Sequence, residues 1–515
     1  MRLPSKIGIA AAACVMSVAG TAACGSSGTS PSSSAKDVLT IALGTPPVSL
    51  DPSRGGNGPT AMYQAPAYQS LLHLEGDGGT ESPSLAESFK WVDARNTELQ
   101  VVLRPGLKFS DGTALDAAAV KASTAHFATN GSAFAYVGQR VASVDTPDAR
   151  TVVFKLKEPD PTFPNQLAET SGLGMIINPK AIADKANLGT STAGAGPYAL
   201  STEQTVVGTT YTYLPNPHYY DKSAVKYQKI VIKVIADPNT ALAALQSGQV
   251  QVAYATPAGF AQAKAAGLNT AAFPGATNGL FFQDHGKLVP ALGDIDVRRA
   301  INYAIDRKSA AEAVTLGTGK PTVQLPVAGS LGHDPALEDV YPHDLAKAKE
   351  LMAKAGYADG FTLPTLVPAF VPTSSNLAQT LADQLAKIGI TLKLESVTTI
   401  GAYAAAQGTA KFGATVFAVG FPLGVPSAAS VLFGPTAQGN PRREEFPTVM
   451  PAIKAASALS GDAAATAWQR INKTIVDEAL EAPIMTEVYG YFFSKDVQGV
   501  DESIAVNPVY MAPTP

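Results

Sequence analysis

The chain has 515 residues, 46% hydrophobic and 16% charged, with a formal net charge of −4. That length exceeds what one hydrophobic core supports, so two or three domains are expected, and the apolar content excludes a disordered chain. The slightly acidic balance argues against nucleic acid as a partner, which would demand a concentrated basic surface.

The chain opens MRLPSKIGIAAAACVMSVAGTAAC. Arg2 and Lys6 form a positive start, Ile7 to Ala19 an apolar run, and Gly20 to Ala23 a stretch of small residues. Residues 1–23 therefore read as a secretory signal peptide, too short for a comfortable membrane span. Ala22 and Ala23 before Cys24 resemble a bacterial lipobox, although Thr21 stands where leucine is commoner. On that reading Cys24 carries the lipid that anchors the mature chain; the alternative is a secreted protein cut nearby with Cys24 unmodified. Residues 24–36, rich in Gly and Ser, form a tether. The other cysteine, Cys14, lies in the discarded segment, which excludes a disulfide framework and a cysteine metal cluster. No later stretch is apolar enough for a transmembrane helix.

Next, DVLTIALG alternates as a first strand, followed by a turn-rich loop and a helix predicted from Thr60 to Leu74. TELQVVLRPGLKFSDGTALDAAAVKAS predicts a strand, a Pro-Gly turn, a short strand, an Asp-Gly turn, and a helix capped near Asp116. RTVVFKLKEP is another strand, and QTVVGTTYTYLPNPHYYD has the composition of paired strands. KYQKIVIKVIADPNTALAALQSGQVQVAYA predicts a strand, a helix opened by Asp237-Pro238, and a strand. Beyond this point the chain turns helix-rich. DIDVRRAINYAIDR has helical spacing with Asp296 as its expected cap, and HDLAKAKELMAKAGY a helix stopped at Gly356. GFTLPTLVPAF, NLAQTLADQLAKIGI and TLKLESV give a βαβ order and a mostly parallel sheet. EAPIMTEVYGYFFSKDVQGV is a strand placed to rejoin the first domain.

Taken together, SLDPS, LRPGLKFSDGTALDAAAVKAS, GAGPYAL, LPNPHYYD, IADPNTALAALQSGQVQVAY, DIDVRRAINYAIDR and DLAKAKELMAKAGYADGF resemble the peptide-, dipeptide- and nickel-binding class of bacterial extracellular solute-binding proteins, family 5, which serve ABC importers. The likeness spans roughly 450 residues. It implies an α/β, two-lobed periplasmic-binding-protein-like fold (type II) with an extra subdomain inserted in the first lobe. Lobe I is then 37–277, lobe II 278–484, and 485–515 the return to lobe I, with crossings near ATNGLFFQDHG and EAPIMTEVYG. Most of these motifs read as scaffold: SDG as a turn, GAGPY as a bend with two flexible residues, Arg298 and Arg299 as solvent-facing or paired on a helix.

Peptide binders of this class hold an extended ligand by its backbone between the lobes. The glycine-aromatic stretch that supplies part of that strand matches Gly420 and Phe421. The family's aspartate shortly after it, partner of the ligand α-amine, is missing: Pro422, Leu423, Gly424, Val425 and Pro426 follow. Either free-amine peptides bind differently here, or another acid serves in a shifted alignment. Gln283 replaces the asparagine usual after the first crossing's aromatic residues, and Pro215 the arginine usual before Asn216. Asn57 and Tyr63 are candidate lining residues of lobe I, and Tyr403 of lobe II, each with ordinary surface or core as the alternative.

The resemblance implies an ABC permease and its ATPase as partners, a short peptide or related solute as ligand, a monomer, no cofactor and no resident metal. The rival readings are a metal-chelate or glycan binder or an envelope receptor or chaperone on the same fold. An exported hydrolase is the remoter rival: HExxH and GxSxG are absent, and a Ser-x-x-Lys, Ser33 to Lys36, lies in the tether. Among six scattered histidines, His285 sits nearest a crossing.

Overall fold

The computed structural model describes residues 37–514 apart from 56–57, 76–79, 130–134, 170, 185, 256–258, 421–423, 436, 460 and 501–506. The export signal, Cys24, the tether, Asn57 and Phe421 lie outside the described residues. Among those described, no helix is long and apolar enough to cross a membrane.

Eleven described strands join one continuous sheet. Ten are named here: β1 (Val38–Leu43), β2 (Tyr198–Leu200), β3 (Thr210–Pro215), β4 (Lys229–Val234), β5 (Val252–Ala255), β6 (Asn269–Phe282), β7 (Phe361–Pro368), β8 (Ile390–Val397), β9 (Ala414–Val419) and β10 (Ala482–Phe493). Their order is β8-β7-β9-β6-β10-β5-β1-β4-β3-β2, with Lys320–Pro321 added along β10. β1 runs parallel to β4 and β5, and β7 parallel to β8 and β9. The two parallel groups are joined by the antiparallel pair β6 and β10, whose register runs from Asn269↔Phe493 to Leu280↔Ala482. This joint has shifts between Pro274 and Thr277 and between Asn278 and Gly279, where extra residues bend the ladder.

Each half has its own core. Leu39, Ile41, Tyr63, Tyr213, Ile230 and Tyr491 pack in the first; Leu280, Val297, Ile301, Leu363, Leu381 and Ile484 in the second. Between β1 and β2 the chain makes a separate four-stranded antiparallel sheet, ordered Ala86–Trp91, Glu98–Leu103, Thr151–Leu156, Val141–Asp145, under the helix Ala117–Thr129. Its core joins Leu99, Val101, Phe109, Val120 and Phe154. Asp116 caps that helix, accepting the Ala119 N–H at 2.9 Å, and Asp237 caps Pro238–Gln246.

Three local expectations are corrected. Thr60 to Leu74 is not one helix: a single 3-10 turn, Gly58–Tyr63, gives way to turns and to a strand at Leu72–Glu75. Pro66, lacking an N–H, cannot extend a helix through that stretch. The cap of the helix Ile295–Ala304 is Asp294, which accepts the Asp296 N–H at 2.8 Å, while Asp296 sits inside the first turn and pairs with Lys354 at 2.7 Å. Arg298 does not face solvent; it is buried among the carbonyls of Ala479, Leu292, Gly293 and Glu478. Arg299 bonds the Asp477 carbonyl. Carbonyls left without donors at chain bends take such guanidinium forks readily, a use that helical periodicity does not reveal.

Candidate binding cleft

The register fixes where a cleft lies. Ala255, the last residue of β5, pairs with Gly490 of β10, so β1, β4 and β5 all direct their carboxyl ends toward the crossing. On the other side Val419, the last residue of β9, pairs with Thr277 of β6, and β7 and β8 run parallel to β9. Both groups thus present strand carboxyl ends to the middle of the β6–β10 pair. Open α/β sheets place ligands outside such ends. A ligand held there would have the crossing strands as its floor and the residues after β1 and β9 as its two rims.

Gly420 stands on the lobe II rim, exposed, with open space where a side chain would project. Tyr63 is fully buried on the lobe I side. Its hydroxyl donates to the Thr45 carbonyl at 2.9 Å, pinning the loop after β1, and its ring packs edge-on to Tyr211 at 4.9 Å. Tyr403 is also core: its hydroxyl lies 3.1 Å from Thr415 Oγ1 and its ring 4.9 Å from Phe417. These tyrosines support the rims from behind. Gln283 belongs elsewhere. It follows Phe282, which pairs with Ala414 at the opening of β9, so it lies at the opposite end of lobe II, buried, its N–H on the Gly413 carbonyl at 2.9 Å.

The floor carries groups that sequence reasoning passed over. Glu487, 4% exposed, is the sole charged residue of β10, and its Oε2 accepts from the Tyr489 hydroxyl at 2.9 Å. Tyr254 and Tyr489 face one another with ring centroids 6.2 Å apart. Burial first, then the neighbouring Glu487 carboxylate, holds both phenols above their ordinary range. Asn278 of β6 is wholly buried with neither side-chain polar atom bonded. The available signal was a lone carboxylate inside an otherwise uncharged, aromatic twelve-residue strand.

His285 lies beside Gln283, away from the floor. Its Nε2 is 3.3 Å from the Leu480 carbonyl and its ring 5.0 Å from that of Phe446. Burial, then nearby Arg298, pulls the imidazole down to about 4. Among the described residues, no group of three or more His, Cys, Asp and Glu is arranged to hold a metal. A folded-state value below the unfolded one means that the stability is fully present above about pH 6.5 and is lost as pH falls toward 4. The expected loss, read by urea denaturation, is roughly 3 kcal/mol, and His285→Gln should flatten that slope. Buried Glu481, whose carboxyl burial pushes well up, acts in the opposite sense: its contribution declines as pH rises. An unchanged slope in the variant would show that His285 is not the titrating group.

Two groups of parallel strands joined by one antiparallel pair, with strand ends converging on it, make a two-lobed α/β architecture. The sequence profile of the bacterial extracellular solute-binding proteins, family 5 (middle), matches residues 80–440. The probable D,D-dipeptide-binding periplasmic protein DdpA of Escherichia coli K12 is 30% identical over 376 residues, 70% of this chain and 70% of its own length. The glutathione-binding protein GsiB of Salmonella paratyphi A is 30% identical over 376 residues, 71% of this chain and 70% of its own. The chain belongs to family 5 of the bacterial extracellular solute-binding proteins. Two solved structures share the fold. AgaA of A. tumefaciens R10, in complex with agropinic acid, has a TM-score of 0.79 at 23% identity, covering 93% of this chain and 99% of its own. DppA of Helicobacter pylori, in complex with the peptide STSA, has a TM-score of 0.77 at 20% identity, covering 92% and 98%.

Proposed function

We propose that this chain is the lipid-anchored, substrate-binding component of an ABC importer, working outside the cytoplasm and taking short peptides or a similar extended polar solute. The observation that carries the reading is the convergence of strand carboxyl ends from both halves on one two-stranded crossing. Lobe I is 37–277, lobe II 278–484, and 485–515 returns to lobe I. A ligand bridging Gly420 and Phe421 on one rim and the loop after β1 on the other stabilises the closed state, because only that state lets it touch both lobes. Asn57 belongs to the same loop. Closure presents the loaded molecule, as a monomer, to the permease and its ATPase. Lipid on Cys24 holds it near them and raises their effective concentration.

Relatives named for dipeptide and glutathione binding support a peptide-like ligand. The test is native mass spectrometry of the protein as purified, followed by thermal shift against a peptide library. A retained peptide, or stabilisation by a subset of the library, is expected. A ligand-free protein insensitive to every peptide would overturn the peptide assignment, and robust hydrolytic turnover would overturn the binding role. Metabolic labelling with palmitate, lost in Cys24→Ser, tests the anchor separately.

A further inference from the structure

The sequence from Gly420 to Pro426 carries no carboxylate, where the family resemblance implies one for the ligand's amine. The floor has one. Glu487 lies where β10 passes between the two groups of strand ends, opposite the irregular stretch of β6 between Pro274 and Thr277. Glu487 is 4% exposed, while Tyr489, two residues on and on the same face of the strand, and Tyr254 are partly exposed. Among the described residues, no lysine, arginine or histidine forms an ion pair with it. Its hydrogen bond comes from the Tyr489 hydroxyl. A phenol is a weak partner for a buried carboxylate, and a cation would satisfy it better.

The surroundings are those that favour an ammonium. Tyr489 meets the acid through its hydroxyl, and the Tyr254 ring lies 6.2 Å from the Tyr489 ring, centroid to centroid, with planes inclined by 54°. Tyr491 adds a third ring, 5.6 Å from Tyr254. Carboxylate and aromatic faces both attract a compact cation, the first by Coulomb attraction and hydrogen bonding, the second by the ring quadrupole. Gly275 makes room for the Tyr489 ring: a Cβ on it would lie 2.3 Å from the nearest carbon of that ring, so the ring packs against β6 there.

We propose that Glu487, flanked by Tyr254 and Tyr489, is the site that selects ligands bearing a primary ammonium, taking the charge that the lobe II rim cannot. The inference rests on the proposed reading of the crossing as the floor of a solute-binding cleft. Ligand entry then displaces water from the acid, and closure buries the ion pair. Selectivity for a free amine comes from the crossing strand, which both lobes share, so an amine-bearing ligand engages the hinge itself.

The test pairs each amine with a form in which every amine is acetylated: trialanine and glutathione against their N-acetyl counterparts, lysine and putrescine against their diacetyl counterparts, titrated calorimetrically into wild type, Glu487→Gln, Glu487→Asp and Tyr489→Phe. Wild type should prefer the free amine, and Glu487→Gln should lose about 30-fold in that affinity while binding the acetylated compound as before. Glu487→Asp should recover part of the preference, which a merely structural role would not produce. An amine preference intact in Glu487→Gln overturns the inference, as does a wild type that binds amine-free solutes equally well. If lysine or putrescine binds through Glu487 and no peptide does, the inference stands and the peptide reading fails. Silence from the whole panel, together with a ligand-free protein, overturns both.

Discussion

Arg307→Ala is expected to lower the unfolding free energy of the second half of the chain by about 3–5 kcal/mol. The guanidinium is 7% exposed and has no carboxylate partner among the described residues. Nε donates to the carbonyls of Pro483 at 2.9 Å and Thr322 at 3.1 Å, while the terminal nitrogens reach the Asn302 carbonyl at 2.8 Å and its Oδ1 at 2.6 Å. Asn302 lies in the last turn of Ile295–Ala304, where the aligned peptide dipoles favour a cation. Burial lowers the group to about 10, which leaves it charged at neutral pH. Alanine would strand those carbonyls without donors and cut the tie between β10 and the lobe II helices. Arg307→Lys should recover little, since one ammonium cannot span a fork of acceptors. Urea denaturation followed by hydrogen exchange along β10 reads the result; an unchanged midpoint would show that the crossing is held by other means.

That residue also shows what a sequence can and cannot reveal. The helical spacing of Val297, Ala300, Ile301 and Ala304 is visible because burial on one face imposes a period, and all four are buried in the lobe II core. The parallel order of β7 and β8 follows from a helix, Pro372–Ala386, standing between them. Arginine spacing carries no such period. Arg298, Arg299 and Arg307 are legible as polar positions on helices, yet their acceptors are carbonyls 5 to 181 residues away in sequence. Gln283 reads as a site residue because it adjoins a crossing strand; its distance from the floor is set by which end of β6 it follows. Glu487 is hidden differently. A charge beside the apolar run VYGYFF stands out only once the strand is placed inside the sheet, between the two groups of strand ends, rather than along an exposed edge.

The second large effect is expected at Gly196. GAGPY reads as a bend that uses glycine for flexibility, but neither Gly194 nor Gly196 has the positive φ that favours glycine. What these positions need is the absence of a side chain. A Cβ on Gly194 would lie 2.2 Å from the Ala67 carbonyl oxygen, and one on Gly196 2.5 Å from that of Pro66. The approach is enforced by hydrogen bonds: Gly196 N–H to Ala67 at 2.9 Å, Tyr198 N–H to Pro66 at 3.0 Å, and Asn216 Nδ2 to the Gly196 carbonyl at 2.8 Å. Gly196→Ala should therefore cost about 2–4 kcal/mol, with backbone rather than a movable side chain in the way. Gly106→Ala is the control. Gly106 has φ +71° and nothing within 4 Å of a Cβ, so its cost is conformational alone, about 1–2 kcal/mol. Because residues 66–68 continue directly from Tyr63, whose hydroxyl pins the loop after β1, displacement at Gly196 should also weaken ligand binding at the lobe I rim. Calorimetric affinity and thermal midpoint should fall together in Gly196→Ala, whereas Gly106→Ala should lower the midpoint alone. Equal costs for the two variants would mean that the contact at Pro66 relaxes freely and that the glycines serve the chain's conformation after all.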